Sequence, residues 1–204
     1  MKLFVIGATG RTGSEIVRLA LSGGHDVTAF ARSPEKIPPA ASLTAVRGDP
    51  RDPESIASAL DGNDAVLSAI GPHPRDVLRR STLLTDCARA TVEAMKANGV
   101  ARLGIVSAGA LFPRSGLYFA FFRVLAINHV RDLRSMEHVV RTSGLEWTIA
   151  RPPRLMKSPR STYHSRVGAV PDDRHAMSFR AVAAFLLDSV EHRAHIGEVV
   201  GLAR

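Results

Sequence analysis

Three glycines, Gly7, Gly10 and Gly13, recur at three-residue intervals inside the opening stretch "MKLFVIGATGRTGSEIVRLAL". Glycine lets a backbone bend sharply and lets a bulky anion approach the exposed N–H groups that begin a helix, where the helix dipole favours negative charge. The chemistry on offer is recognition of a pyrophosphate by main-chain donors. Taken alone, the same spacing also describes a tight strand-to-helix turn with no ligand, so the neighbouring elements must decide.

Leu3 to Ile6 form a short apolar run of the kind that makes a strand buried on both faces, and Ile16, Val17, Leu19, Ala20 and Leu21 return at helical spacing. Further strands are predicted at "DVTAF", "LTAVR", "DAVLSAI", "RLGIVSA", "EWTIA" and "EVVGL". The clearest helices are "LLTDCARATVEAMKANG" and "LRSMEHVVRTSG", each closed by Asn-Gly or Ser-Gly, a helix stop signal. This alternation predicts an α/β fold: a doubly wound, mainly parallel Rossmann-like sheet of about seven strands with helices on both faces. At 204 residues it is expected to be one domain, 1–204. Pro152 to Met177, rich in Pro, Ser, Arg and Gly, shows no clear period and is expected to be a substrate-side loop.

In doubly wound sheets the ligand lies at the carboxyl ends of the strands. The glycine turn follows the first strand; Ala31, Arg32 and Ser33 follow the second; Gly48 and Asp49 the third; Gly71 and Pro72 the fourth; Ser107, Ala108 and Gly109 the fifth. This row of small, polar or flexible residues fits a dinucleotide. After the second strand a carboxylate would accept from the ribose hydroxyls of NAD, whereas an arginine matches a 2′-phosphate by charge-assisted, often bidentate bonds. Arg32 occupies that place and Asp26 lies at the other end of the strand, so NADP(H) is the expected cofactor. Arg11, inside the glycine turn, is expected within reach of the same phosphate.

Composition narrows the function classes. Cys87 is the single cysteine, which excludes an internal disulfide and a cysteine zinc cluster, and its mostly apolar helical neighbourhood predicts a packing role. His164, His175, His192 and His195 share no metal-ligand spacing with acids, so no metal site is expected. No charged leader precedes a long apolar stretch, and no run approaches membrane-spanning length, so a cytoplasmic protein without a membrane partner is expected. Net charge is +8, from 27 Lys and Arg against 19 Asp and Glu. The arginines are scattered, dense only in "RLMKSPRSTYHSR", and aromatic residues are few, so no nucleic-acid partner is expected. The basic surface either serves phosphorylated small molecules or is a solvated face. Ser107 lies in Ser-Ala-Gly-Ala and not in Gly-x-Ser-x-Gly, which argues against a hydrolase.

"GATGRTG", "ARSPEKI", "VRGDPRDPESIASALDGNDAVLSAIG", "IVSAGA" and "SGLEWTIARPP", in this order, resemble the atypical short-chain dehydrogenases/reductases. Within them the chain is most similar to the small NAD(P)H-binding proteins of the biliverdin-IX-beta-reductase and flavin-reductase type, over essentially its whole length. The resemblance implies that Gly7, Gly10 and Gly13 hold the pyrophosphate, with Thr9, Arg11 and Thr12 lending donors. It implies that Arg32 binds the 2′-phosphate and Asp49 the adenine amino group, while Ala69, Ile70 and Gly71 line the adenosine and ribose side. Ser107 would stand beside the nicotinamide, and Arg151, Pro152 and Pro153 would close over it.

One departure bears on the chemistry. Better-known short-chain dehydrogenases carry Tyr-x-x-x-Lys on the helix before the sixth strand; counting back from "SGLEW" places His129 at the tyrosine position and Leu133 at the lysine position. Tyr118 is followed four residues later by Phe122, so it does not restore the dyad. Carbonyl and alcohol chemistry needs a positioned proton donor. Reduction of a conjugated electron sink needs one less, because protonation can come from water and the protein chiefly orients the reactants. His129 is either a proton donor, given its near-neutral reference pKa, or a polar helix residue without a catalytic role. The expected function is therefore NADPH-dependent reduction of a flavin, quinone or similar planar small-molecule acceptor, by a monomer or homodimer, with Ser107 and His129 as catalytic candidates. The alternative is a non-catalytic NADP(H)-binding redox sensor acting through protein partners.

Overall fold

Side chains of the first strand, β1 (Lys2–Ile6), alternate between two cores, as the two-residue period of a strand requires. Leu3 and Val5 enter one with residues of α1 (Arg11–Ser22) and α5 (Phe179–Glu191). Phe4 and Ile6 enter the other with residues of α2 (Pro53–Leu60), α3 (Leu83–Ala97) and α4 (Ile127–Arg141). The sheet is thus covered on both faces, which explains the unbroken apolar run of β1. The computed structural model describes residues 1–73, 77–112, 126–171 and 176–204.

The remaining strands are β2 (Asp26–Ala31), β3 (Leu43–Arg47), β4 (Ala65–Ser68), β5 (Arg102–Val106), β6 (Glu146–Arg151), β7 (Arg154–Met156), β8 (His164–Val167), β9 (Ala176–Ser178) and β10 (Glu198–Ala203). The main sheet has the order β3-β2-β1-β4-β5-β6-β10-β8, parallel throughout except for the β10–β8 pair. The strand order reverses between β1 and β4, the crevice where doubly wound sheets bind ligands. No described helix is long and apolar enough to cross a membrane.

The sheet has eight strands instead of about seven, and the stretch from Pro152 to Met177 is not one long loop. It contains β7, most of β9 and the extra strand β8. All four residues of β8 are exposed, so no apolar alternation marks it in the sequence. Strands β7 and β9 form a separate two-stranded parallel sheet.

Two buried charged groups fasten the layers. The carboxylate of Asp132, on α4, accepts from the backbone N–H groups of Leu84 and Thr85, at 3.0 Å each, and from the Thr85 hydroxyl, capping α3 from a neighbouring helix. Arg102, 3 % exposed, begins β5 and donates to Glu146 O, Thr148 Oγ1, Ser189 O and Ala194 O, each at 2.8 Å. These bonds tie β5 to β6, to the end of α5 and to the turn before β10; burial lowers the guanidinium pKa to about 10. Cys87 is buried in α3 and its thiol is pushed up to about 12, mainly by burial, which keeps it protonated and unreactive at neutral pH.

Candidate functional site

The parallel register brings the strand ends to one edge. Ile6 pairs with Phe30 and with Ser68, Ser68 with Ile105, Ala31 with Arg47, and Val106 with Ala150. Gly7, Arg32, Gly48, Ala69, Ser107 and Arg151 therefore emerge along the same side of the sheet. Backbone bonds extend the pairing past the strands: Ala69 N–H donates to Ile6 O at 3.0 Å and Ser107 N–H to Ala150 O at 2.7 Å.

The glycine turn is sterically specified. Gly7 has φ +80°, a left-handed conformation that favours glycine. A Cβ on Gly13 would lie 2.1 Å from the Gly7 carbonyl oxygen, so only glycine lets α1 start this close to the turn. Gly10 is tighter than ordinary but less so, its Cβ falling 3.1 Å from the same oxygen. Gly10 is also the N-cap of α1; no side chain caps it, and the first turn holds no acidic residue. A helix start without a cap or a carboxylate leaves its N–H groups and dipole available to an anion. Of the threonines in the turn, Thr9 is exposed and Thr12 buried.

At the outer edge Arg47 donates to Arg32 O and pairs with Glu35, at 2.9 Å each, and Arg51 pairs with Asp49 at 2.9 Å. Arg32 is exposed and forms no ion pair among the described residues, so it is the cation left available there. Hydrogen bonds from Arg51, and further off the charge of Arg32, hold the Asp49 carboxyl below its usual range. Arg51 gives two bonds to Asp49 Oδ1 and one to Oδ2, which leaves Oδ2 able to accept an amino group as well. Ala69 and Ile70 are half-buried, and Gly71 borders open space.

Arg11 turns towards the start of α5. Its guanidinium carbon lies 5.5 Å from the centre of the Phe179 ring, at the start of α5, and it lines a cavity on that side. Attraction to the ring face and the packing of α1 on α5 account for the direction.

A residue absent from the sequence expectations organises the ends of β5 and β6. Glu137, on α4 and 3 % exposed, accepts from Ser107 Oγ at 2.6 Å, from Arg151 Nε at 2.8 Å and from Arg151 Nη2 at 2.6 Å. Arg141 adds a longer contact at 3.3 Å, and the Arg151 guanidinium lies 4.5 Å from the Phe112 ring centre. Arg151 is therefore committed to Glu137 and buried, not spread over an open face, while Pro152 and Pro153 are buried beside it. The Ser107 proton is given to the carboxylate, which leaves its oxygen lone pairs as acceptors. The signal for Glu137 was its place in the apolar stripe Val130, Leu133, Met136, Val140, where a charge stays only if paired.

His129 lies in the first turn of α4, on the same side as Leu133 and about 12 Å from Glu137 along the helix axis. No contact joins it to Ser107. Burial lowers its pKa below the ordinary value, opposed by the nearby Asp132 carboxylate, so the ring is neutral at neutral pH. The comparison segment around Tyr118 and Phe122 lies outside the described residues, as does His175.

Known proteins share this architecture. A short-chain dehydrogenase/reductase from Veillonella parvula in complex with NADP superposes with a TM-score of 0.84 at 19% identity, covering 100% of this chain and 94% of that one. A candidate NADH-flavin reductase from Streptococcus pneumoniae superposes with a TM-score of 0.78 at 24% identity, over 100% and 99% of the two chains. Both likenesses concern the fold. In sequence, the chain is 31% identical over 156 residues to photosystem II assembly factor Ycf39 from Guillardia theta, covering 72% of this chain and 45% of that protein, so it spans under half the length of this relative. Residues 7–193, which run from the first glycine of the turn to just past the end of α5, match the NAD(P)H-binding family, and the chain belongs to that family.

Proposed function

We propose that this protein is a reductase that prefers NADPH and delivers hydride to a flavin, quinone or similar planar conjugated acceptor. The preference rests on Arg32, a cation just past the end of β2 with no ion pair among the described residues, which would receive a 2′-phosphate. The uncapped start of α1 and the Gly7–Gly13 turn take the pyrophosphate, Asp49 the adenine amino group, and Ala69, Ile70 and Gly71 the adenosine side. When bound, the cofactor supplies a hydride.

The observation that carries the choice of acceptor is the engagement of Ser107 with Glu137. Ser107 can accept a hydrogen bond from a carboxamide and so orient it, but its own proton is already held. Arg151 holds the Glu137 carboxylate in place through two hydrogen bonds, acting as a positioning residue. Counted from "SGLEW", His129 and Leu133 fall at the positions expected for the Tyr-x-x-x-Lys dyad, and a neutral His129 lacks the extra proton of a strong general acid. An acceptor that spreads incoming charge over a conjugated system and takes its proton from water suits such a site. Similarity in fold to a candidate flavin reductase supports the same reading.

Anaerobic mixing of NADPH with FMN, riboflavin and simple quinones, followed through nicotinamide absorbance, tests it. Oxidation of NADPH faster than of NADH by at least one of these acceptors is expected. Likeness to an assembly factor favours a second reading, in which the protein binds NADP(H) and signals through protein partners. Tight NADPH binding with no turnover on any acceptor would select it.

A further inference from the structure

The cavity towards which Arg11 turns has a volume of about 480 Å³ and lies between the start of α1, the segment Met156–Ser158 and the start of α5. The β7–β9 pair builds it: Met156 pairs with Ser178, which sets Lys157 opposite Phe179 and Arg180. Three cations, Arg11, Lys157 and Arg180, line it, and none has an ion-pair partner among the described residues. The one acid, Glu15, is held by Arg18 through both Nε and Nη2, so its charge is already answered. Arg180 adds a second, independent sign: its Nε is buried and has no hydrogen-bond partner. A buried donor without an acceptor is costly and is found mainly where a ligand or water completes it.

Position gives the cavity a use. One wall begins at the residue after Gly10, and another lies three residues beyond Pro153, so it adjoins both the pyrophosphate turn and the nicotinamide side. We propose that this cavity binds the anionic end of the acceptor, a phosphate monoester on a flexible chain, while the planar part of the acceptor lies over the nicotinamide. The proposal rests on the reductase reading above and narrows its substrates to phosphorylated acceptors of the FMN kind over uncharged ones such as riboflavin. Charge-assisted bonds to a phosphate suit Arg180 and Lys157, and the exposed Lys157 approaches from the solvent side.

The test is equilibrium binding of FMN and of riboflavin to the protein loaded with NADP⁺, read by flavin fluorescence, with calorimetric titration of inorganic phosphate beside it. FMN is expected to bind on the order of tenfold tighter than riboflavin, as one net charge-assisted contact implies. Arg180→Gln should remove most of that advantage and leave riboflavin and NADP⁺ binding within about twofold, a change below 0.5 kcal/mol. Lys157→Gln, at an exposed position, should act in the same direction and serves if the Arg180 variant fails to fold. Equal affinity for the two flavins in the wild type overturns the proposal. So does an equal loss of NADP⁺ binding in Arg180→Gln, which would assign the cavity to the cofactor. If neither flavin binds, the flavin reading falls by itself; phosphate binding that is lost in Arg180→Gln then supports the cavity's anion chemistry, and absence of phosphate binding overturns it.

Discussion

Replacing Glu137 by Gln isolates what its charge does, because the side-chain volume hardly changes. The carboxylate and the Arg151 guanidinium are 4% and 10% exposed, and two parallel bonds join them. The amide keeps one acceptor oxygen but turns a donor towards a second donor, so one guanidinium bond is lost and a buried cation is left without its counter-charge. Removing one partner of a buried pair costs about 3–5 kcal/mol. The retained oxygen and the Phe112 ring, 4.5 Å from the guanidinium, place the variant at the lower end. For a chain of this size 1 kcal/mol moves the melting temperature by roughly 2–4 °C, so Glu137→Gln should melt about 6–12 °C lower. Thermal unfolding followed by circular dichroism measures it. The double variant Glu137→Gln/Arg151→Met, which leaves no buried charge unpaired, should recover part of the loss. A single variant that melts within about 2 °C of the wild type, or a double variant that loses the sum of the two single effects, would refute the account of Glu137 and Arg151 as a coupled pair.

Arg32→Ala should weaken NADPH by about 1.5–3 kcal/mol, or roughly 10- to 150-fold, and leave NADH nearly unchanged; titration of both cofactors decides, and equal wild-type affinities reject the assignment. Gly10→Val should abolish dinucleotide binding with the circular dichroism spectrum retained, whereas Gly13→Ala, whose Cβ would fall 2.1 Å from Gly7 O, should disturb the fold itself. His129→Gln should keep the hydride-transfer rate within about tenfold of wild type, a smaller change than loss of a general acid causes. The same variant tests the lowered His129 pKa. The unfolded chain binds this proton more readily than the folded one, so the wild type should lose stability as pH falls from 6.5 through the lower folded value, and His129→Gln should lose less over that interval.

Legibility in the sequence followed burial. β1 and α3 could be read because two-sided or one-sided burial imposes an apolar pattern, and the stops at Gly99 and Gly144, with φ +67° and +77°, are left-handed positions that glycine favours. β8 could not, since an edge strand with four exposed residues has no such pattern to show. The start of α4 at Ile127 was hidden by the polar stretch "INHVRD", whose Asp132 is buried only because it caps a different helix. At the site, the glycine turn and the residues closing each strand were readable from position alone. Glu137 was not, because pairing with Ser107 and Arg151, remote in sequence, is what makes a buried carboxylate tolerable there. The cation cavity was likewise hidden, as its three charges come from three separate segments.

The placement of α5 sets a timetable for the nascent chain. Leu3 and Val5 are made long before Val182, Phe185 and Leu186, which complete the core they enter. At ordinary elongation rates that core has α1 but lacks α5 for on the order of ten seconds or more. Arg102 meets the same delay, because two of its carbonyl acceptors, those of Ser189 and Ala194, are made later still. The opposite face, roofed by α2, α3 and α4, has its helices earlier, once α4 has been made. During synthesis the core on one face of the sheet therefore waits for α5 after the other face already has its helices.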